Sequence, residues 1–407
     1  MRISTQSIYN NATSQLNTLQ SALARTQNQL STNRRILTPA DDPVASARAL
    51  EVSQSKEMNS QFATNRANAR SSLSMVEGAL QNAGNLLQDI QQLAVNAGNG
   101  TMLPQDREAL ATELEGRLED LLGVANTTDG AGGFLFSGYM ATTQPFTRTP
   151  AGAAYQGDQG QRQLQVGASR KIPLSASGTA VFENNPTGNG VFQTQADKNN
   201  KGAAIISSGA VVDRPQANLG RSYELTFTVT GTPAVTTYTV VDSATGTAVP
   251  GHENQTYEPG KTLSFGGLSF DIKGEPADAD VFTVEPSKKQ SVFSTVTDLI
   301  GALRAPADGS TGKAALTNNL NTALDNLKSA HDNVLTVQAS VGAHMKELDY
   351  LDSAGDDLDI QYAATLGDLQ DLDMVKAISD FSMQQTTLQA AQMSFKTMSG
   401  LSLFNYL

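Results

Sequence analysis

Eight aspartates crowd the segment from Asp349 to Asp373. Three of them, Asp356, Asp357 and Asp359, are close enough in sequence to suggest a calcium site. The pattern does not support one, because the spacing of an EF-hand, its central glycine and its terminal glutamate are all missing. A solvated acidic helix face is the reading these residues carry. The three histidines, His252, His331 and His344, are scattered, and His331 and His344 fall too far apart on one expected helix to share an ion. Gly130-Ala-Gly-Gly133 lacks the Gly-Lys-Ser/Thr of a phosphate loop and follows a helix instead of a strand. No Gly-x-Ser-x-Gly elbow is present. The sequons at Asn11, Asn99, Asn126 and Asn254 are what a chain rich in Asn and Thr yields by chance. The chemistry-bearing residues therefore assemble no catalytic set, no metal set and no cofactor pocket, and the expectation is a protein that is not an enzyme.

Composition narrows the classes further. The 407 residues allow two or three domains. With no cysteine, disulfides, thiolate metal sites and thiol catalysis are excluded. A formal charge of −12 argues against nucleic acid as a partner, since phosphate binding needs a basic surface. The start Met1-Arg-Ile-Ser-Thr-Gln6 has no apolar core of a cleaved signal, and no run approaches the length of a membrane span. Export, if it occurs, is expected without signal cleavage, and no membrane insertion is expected.

What the sequence does carry is a pair of apolar stripes at opposite ends. Ala69, Leu73, Val76, Leu80, Ala83, Leu87, Ile90 and Ala94 form one, and Leu316, Leu320, Ala323, Leu327, Ala330, Val334, Val337 and Val341 the other. Alternating spacings of four and three hold side chains on one face of a helix, and their persistence over several heptads marks a coiled-coil seam. Neither stripe can stay dry alone, so the chain is expected to run out, make a distal domain and return antiparallel to itself. Leu80, Leu87 and Ile90 are expected to pack against Leu320, Leu327, Val334 and Val337. Charge agrees with this: residues 1–70 carry a balance of +4 and residues 301–407 a balance of −7. Surface pairs of this kind orient more than they stabilise.

The flanks hold narrower seams. One comprises Ala12, Leu16, Leu19, Leu23, Thr26 and Leu30, and another the heptad-spaced Phe381, Leu388 and Phe395. These lack companions enough in their own chain, and Leu16, Leu23, Leu30, Leu388, Phe395, Leu401 and Leu403 are taken as assembly positions.

Proline divides frame from insert. Eleven of the fourteen prolines lie between Pro145 and Pro306, and none follows Pro306. The leading helix ends before Pro39. Asp42 caps a second helix from Pro43 to about Ala97, and a third opens at Leu103-Pro104 with Leu110, Leu114, Leu118, Leu121 and Leu122 inward. From about Phe134 to Glu285 the period becomes two. Tyr223, Leu225, Phe227 and Val229 alternate with polar residues, and Gly266-Gly267 reads as a hairpin turn. Segment 184–201 is polar and expected as loop. The fold class is α+β, segregated: a long antiparallel helical rod built from both chain ends, with a β-rich distal domain inserted. Residues 1–42 and 370–407 are expected as terminal coiled-coil helices, 43–144 and 291–369 as the rod, and 145–290 as the outer domain.

Leu30-Ser-Thr-Asn-Arg-Arg-Ile-Leu-Thr-Pro-Ala-Asp-Asp-Pro43 resembles the segment that joins the terminal helix to the rod in bacterial flagellins. Asp371-Leu-Asp-Met374 and the tail from Leu388 to Leu407 resemble the turn and terminal helix of the same superfamily. Gly133-Phe-Leu-Phe-Ser-Gly138, Gln144-Pro-Phe146, Tyr155-Gln-Gly-Asp158, Leu164-Gln-Val-Gly167 and Ser291-Val-Phe293 are more similar to the third class of hook-associated proteins than to filament flagellins. The resemblance covers roughly the first 180 and last 120 residues and is looser in the β region, where the insert is long for that family. It implies a structural axial protein of the bacterial flagellum, secreted through the flagellar export apparatus and attended by an export chaperone. Such proteins self-associate in a ring at the hook–filament junction, with another hook-associated protein on the hook side and flagellin on the filament side. A minor filament flagellin is the competing reading within the class, and a secreted adhesin or enzyme displaying the β domain the competing reading outside it.

Overall fold

The computed structural model describes residues 5–213 and 220–400. Six helices frame it: α1 (Thr5–Thr32), α2 (Pro43–Ala97), α3 (Pro104–Ala125), α4 (Val292–Arg304), α5 (Gly309–Gln370) and α6 (Met374–Gly400). All sixteen strands in the described residues fall between Phe146 and Gln290, inserted between α3 and α4. By internal contacts the chain forms two compact units, Met1–Asn65 with Asp349–Leu407, and Arg66–Leu348.

Local chemistry fixes the helix boundaries. Asn33 adopts φ +53 just after α1, and the Arg34 amide returns to the Gln29 carbonyl at 3.2 Å, so α1 closes at Thr32. This is a left-handed helix stop, for which asparagine is among the better residues after glycine. Asp42 Oδ1 accepts the Ala45 amide at 3.0 Å, which starts α2 with Pro43 in its first turn. Asp41 Oδ2 accepts the amides of Leu37 and Thr38, each at 2.9 Å, and tightens the connecting turn. The amide bonds hold both carboxyls below the usual aspartate range: Thr38 contributes most for Asp41 and Ala45 most for Asp42.

In the larger unit, the α2 stripe is sealed. Ala69, Leu73, Val76, Leu80, Ala83, Leu87, Ile90, Ala94 and Ala97 are each 2% exposed or less. On α5, Leu320, Leu327 and Val334 are buried, while Leu316 and Val337 are half-buried. Gln88 and His331 meet side by side at 3.2 Å, which brings α2 and α5 together at this level. Helix α3 faces inward through Ala111, Leu114, Leu118, Leu121 and Ala125, and α4 through Val292, Phe293, Val296, Leu299 and Leu303. Arg304 at the end of α4 grips two carboxylates of α3, Glu115 at 2.7 Å and Glu108 at 3.0 Å. These hydrogen bonds, that to Glu115 foremost, raise its pKa. Arg117 of α3 lies 3.8 Å from Asp89 of α2.

The glycine-bearing segment after α3 folds back on the helices. Phe136, Phe146, Phe182 and Phe293 form a fully buried cluster with edge-on and tilted rings 5.0–5.7 Å apart. Asp158 ties its loops, accepting the amides of Tyr139 at 3.0 Å, Met140 at 3.1 Å and Gly160 at 2.6 Å. The Tyr155 hydroxyl donates to the Phe136 carbonyl at 2.9 Å. Gly138 has φ +73, and a Cβ there would collide with Asp158. The residues of the Gly133–Gly138 and Tyr155–Asp158 motifs thus lock one another.

The outer β region has its own core, built around Leu225, Phe227, Val240, Phe265, Phe270, Ile272, Phe282 and Val284. One antiparallel sheet runs Thr247–Ala248, Val235–Asp242, Tyr223–Thr230, Val281–Pro286, Phe192–Ala196. A second joins Thr262–Phe265, Leu268–Lys273 and the short strands at Ile205–Ile206 and Ala210–Val211. Gly266 and Gly267, at φ +55 and +77, make the two-residue turn between Thr262–Phe265 and Leu268–Lys273. The segment 184–201 differs from its expected loop: Asn185–Pro186 and Phe192–Ala196 are strands, the latter an edge of the large sheet. Polarity conceals this strand, because Thr194 is buried by donating its hydroxyl to the Ser207 carbonyl at 2.8 Å.

Leu87 is 1% exposed on the α2 stripe. Truncating such a leucine to alanine leaves a cavity and costs about 2–5 kcal/mol. Leu87→Ala should lower the stability of the purified chain by that amount in urea unfolding. A variant as stable as the parent would show that the stripe is not the core of this unit.

Candidate assembly surface

No group of three or more His, Asp or Glu side chains among the described residues is placed to hold a metal ion. The acidic stretch lies along α5, and one of its members, Asp359, is 3.9 Å from Lys56. His252 meets Tyr238 at 3.3 Å in the outer region, and His344 lies 3.8 Å from Glu347 on α5. Among the described residues, no helix is long and apolar enough to cross a membrane. The feature with functional content is the apolar surface of the smaller unit.

Within that unit α1 and α6 lie antiparallel. Tyr9 and Phe395 meet with ring centroids 5.1 Å apart, and the Thr26 hydroxyl donates to Gln384 Oε1 at 2.9 Å. The pairing is stapled at its open end. The Arg35 amide donates to the Gln370 carbonyl at 2.7 Å, the Arg35 guanidinium donates to the Leu369 carbonyl at 2.6 Å, and Arg34 forms a β-bridge with Asp371. Asp373 Oδ1 then accepts the Lys376 amide at 3.0 Å and starts α6. Arg25 pairs with Asp41 at 2.6 Å, tying the connecting turn to α1. The long stem of α2 in the same unit meets α5 where Asn59 Nδ2 donates to the Gly355 carbonyl at 2.7 Å.

This pair does not seal its seam. Of the expected assembly positions, Phe395 meets Tyr9 across the pair, and it and Leu16, Leu23, Leu30 and Leu388 are only half-buried. Among the described residues of α1 and α6, only Thr26 and Ala377 are buried. Two helices alone cannot cover both flanks of their shared stripe, whereas four can. Leu401 and Leu403 lie outside the described residues. Further apolar side chains point outward: Tyr9, Val375, Ile378, Met383 and Met393 are each at least half exposed. Among the described residues, 13 of the 21 exposed large apolar side chains fall in this unit, which holds under a third of the chain. Apolar exposure so concentrated marks an interaction surface. Sequence periodicity singled out the leucines as expected seam positions but not the outward methionines of α6, which interrupt no heptad and carry no spacing signal.

The comparisons bear on what such a surface joins. Residues 3–141 match the family model described as the bacterial flagellin N-terminal helical region. The flagellar hook-associated protein 3 of Escherichia coli strain K12 is 29% identical over 405 residues, covering 99% of both chains. A crystal structure of flagellar hook-associated protein 3 from Legionella pneumophila superposes with a TM-score of 0.74 at 32% identity, covering 78% of this chain and 98% of that one. A crystal structure described as the flagellar junction protein of Legionella pneumophila gives 0.72 at 32%, covering 80% and 100%.

Because Leu23 is half-buried while Leu87 is sealed, truncating each should separate folding from association. Leu23→Ala should cost the isolated monomer less than about 1.5 kcal/mol, well below the range for a fully buried leucine. Its self-association under polymerising conditions, followed by sedimentation, should be lost. A stability loss equal to that of Leu87→Ala would mean the α1–α6 seam is already closed within one chain.

Proposed function

We propose that this chain, which belongs to the flagellar hook-associated protein 3 family, is the structural adaptor that joins the flagellar hook to its filament. The observation that carries the reading is the half-open seam of α1 and α6 in a chain whose α2 stripe, from Ala69 to Ala97, is sealed. A subunit built this way is folded before assembly and incomplete until neighbours arrive. Copies associate in a ring, the terminal pair lining its inner wall and completing one another's seams. One end of the ring meets another hook-associated protein, the other meets flagellin.

Burial is worth about 25 cal/mol per Å² of apolar surface, so a modest area per seam, repeated around a ring, gives a stable joint from weak pairwise contacts. The chain travels through the flagellar export apparatus and acts extracellularly as part of the flagellum. The same apolar surface requires cover before export, which is the work of a chaperone. The family match extends over 99% of the Escherichia coli protein, outer region included, and this supports the junction reading over a minor filament flagellin. No catalytic step is assigned.

Deletion of residues 398–407 should leave a soluble, folded chain that fails to cap the hook. Cells carrying it should shed flagellin monomers into the medium and show bare hooks by electron microscopy. Deleting the hairpin turn at Gly266-Gly267, far in sequence from the terminal helices, should be much milder. Normal motility in the truncated strain would overturn the junction role. Long filaments grown by the purified parent chain alone would favour the flagellin reading.

A further inference from the structure

Helix α6 carries apolar residues on two opposite sides. At about 100° per residue, Ala377, Gln384, Leu388 and Phe395 fall within one narrow arc. This side meets α1: Gln384 accepts the Thr26 hydroxyl and Phe395 meets Tyr9. Val375 and Met393 share the reverse side, because a whole number of helical turns separates them. Ile378 and Met383 flank it, and these four residues are between 53% and 82% exposed. A helix that is apolar all round is one built to be covered all round, and α1 covers one side.

The open side is chemically distinct. Four of the ten methionines fall in the 27 residues of α6, and α1 has none. Met383 and Met393 are the two most exposed methionines among the described residues, at 67% and 66%, whereas Met102 and Met345 are half-buried. With no cysteine and no tryptophan in the chain, no thiol or indole competes for an oxidant. Thioether sulfur is then its most readily oxidised group. The sulfoxide turns a flexible apolar side chain into a polar one. On a solvated face that change costs little, but on a face that must be desolvated it leaves a polar group buried without a partner.

We propose that Met383 and Met393 form an oxidative modification site: a peroxide converts them to sulfoxides in the unassembled chain and so blocks self-association, while a second copy seated on this face shields them. The sulfur lone pair attacks one peroxide oxygen, and an S–O bond forms as the O–O bond breaks. The other oxygen takes the proton of the first and leaves as water, so sulfur is oxidised by two electrons and peroxide reduced. This sensitivity rests on the assembly role proposed above, in which copies cover one another's apolar surface.

Hydrogen peroxide added to the purified full chain tests it, with peptide mass spectrometry reading the added oxygen and sedimentation reading self-association. In the monomer Met383 and Met393 should oxidise ahead of Met102 and Met345, leave the circular-dichroism melt unchanged, and weaken association at least tenfold. Methionine sulfoxide reductases should restore it. In the associated sample both residues should be protected relative to Met140, which belongs to the larger unit. Peroxide should change the association of the Met383→Leu/Met393→Leu variant less than twofold, and that of Met140→Leu as much as the parent's. Undiminished association of a parent carrying both sulfoxides would overturn the proposal. So would a loss that the reductases do not reverse, or one equally large in the Met383→Leu/Met393→Leu variant. An untreated parent that does not self-associate would instead overturn the assembly role itself, a result that needs no oxidant to read.

Discussion

A helix with a continuous apolar stripe cannot remain solvated on that side, and the structure follows from this constraint. Residues 69–97 present such a stripe for nine successive positions, all sealed from water. A stripe of that length needs an equally long partner, and α5 supplies it from the other end of the chain, running 62 residues. Because the partner comes from the far end, the strands between α3 and α4 form an insert in the helical frame. The β-rich region, with its separate core, is the consequence. Helices α3 and α4 close the remaining flanks, and the Arg304 grip on Glu108 and Glu115 fixes their register.

The same constraint is left half satisfied in the smaller unit, and the proposed assembly role rests on that. In the smaller unit α1 and α6 pair with each other, yet their leucines stay half-buried and the methionines of α6 point outward. The turn between α1 and α2 is well built, with Asp41 and Asp42 each bonded to backbone amides and paired with Arg25 and Arg35. Incompleteness is therefore confined to apolar surface, which association can cover. Hydrogen bonding in this turn is satisfied within one chain, where it matters for folding.

Much of this frame was legible in the sequence. Asp42-Pro43 and Gly98 bounded α2, Pro104 opened α3, and the glycine pair at 266–267 marked its hairpin, because caps, prolines and turns act locally. Features depending on distant partners were not. Phe192–Ala196 looked like loop, since its buried Gln193 and Thr194 are polar and only the fold gives them a buried environment. The cluster of Phe136, Phe146, Phe182 and Phe293 draws on four separate segments, and no periodicity links them. Asn318 and Asn326 appear as ordinary helix-surface residues until the backbone segments that dock on them are seen. On the candidate surface the leucine seam was visible and its degree of closure was not, because closure depends on how many helices share it.

That degree of closure is the central claim, and a chain without cysteine allows it to be measured directly. Met383→Cys places a lone thiol on the outward face of α6, where the methionine is 67% exposed. Val235→Cys places one on the outer β region, at 48% exposure. Alkylation rates of the two variants should be compared in the purified monomer and in isolated hook–filament structures. The account predicts fast labelling of both in the monomer, and after assembly at least tenfold protection of the α6 thiol alone. Equal labelling of the Met383→Cys variant in the two states would contradict it.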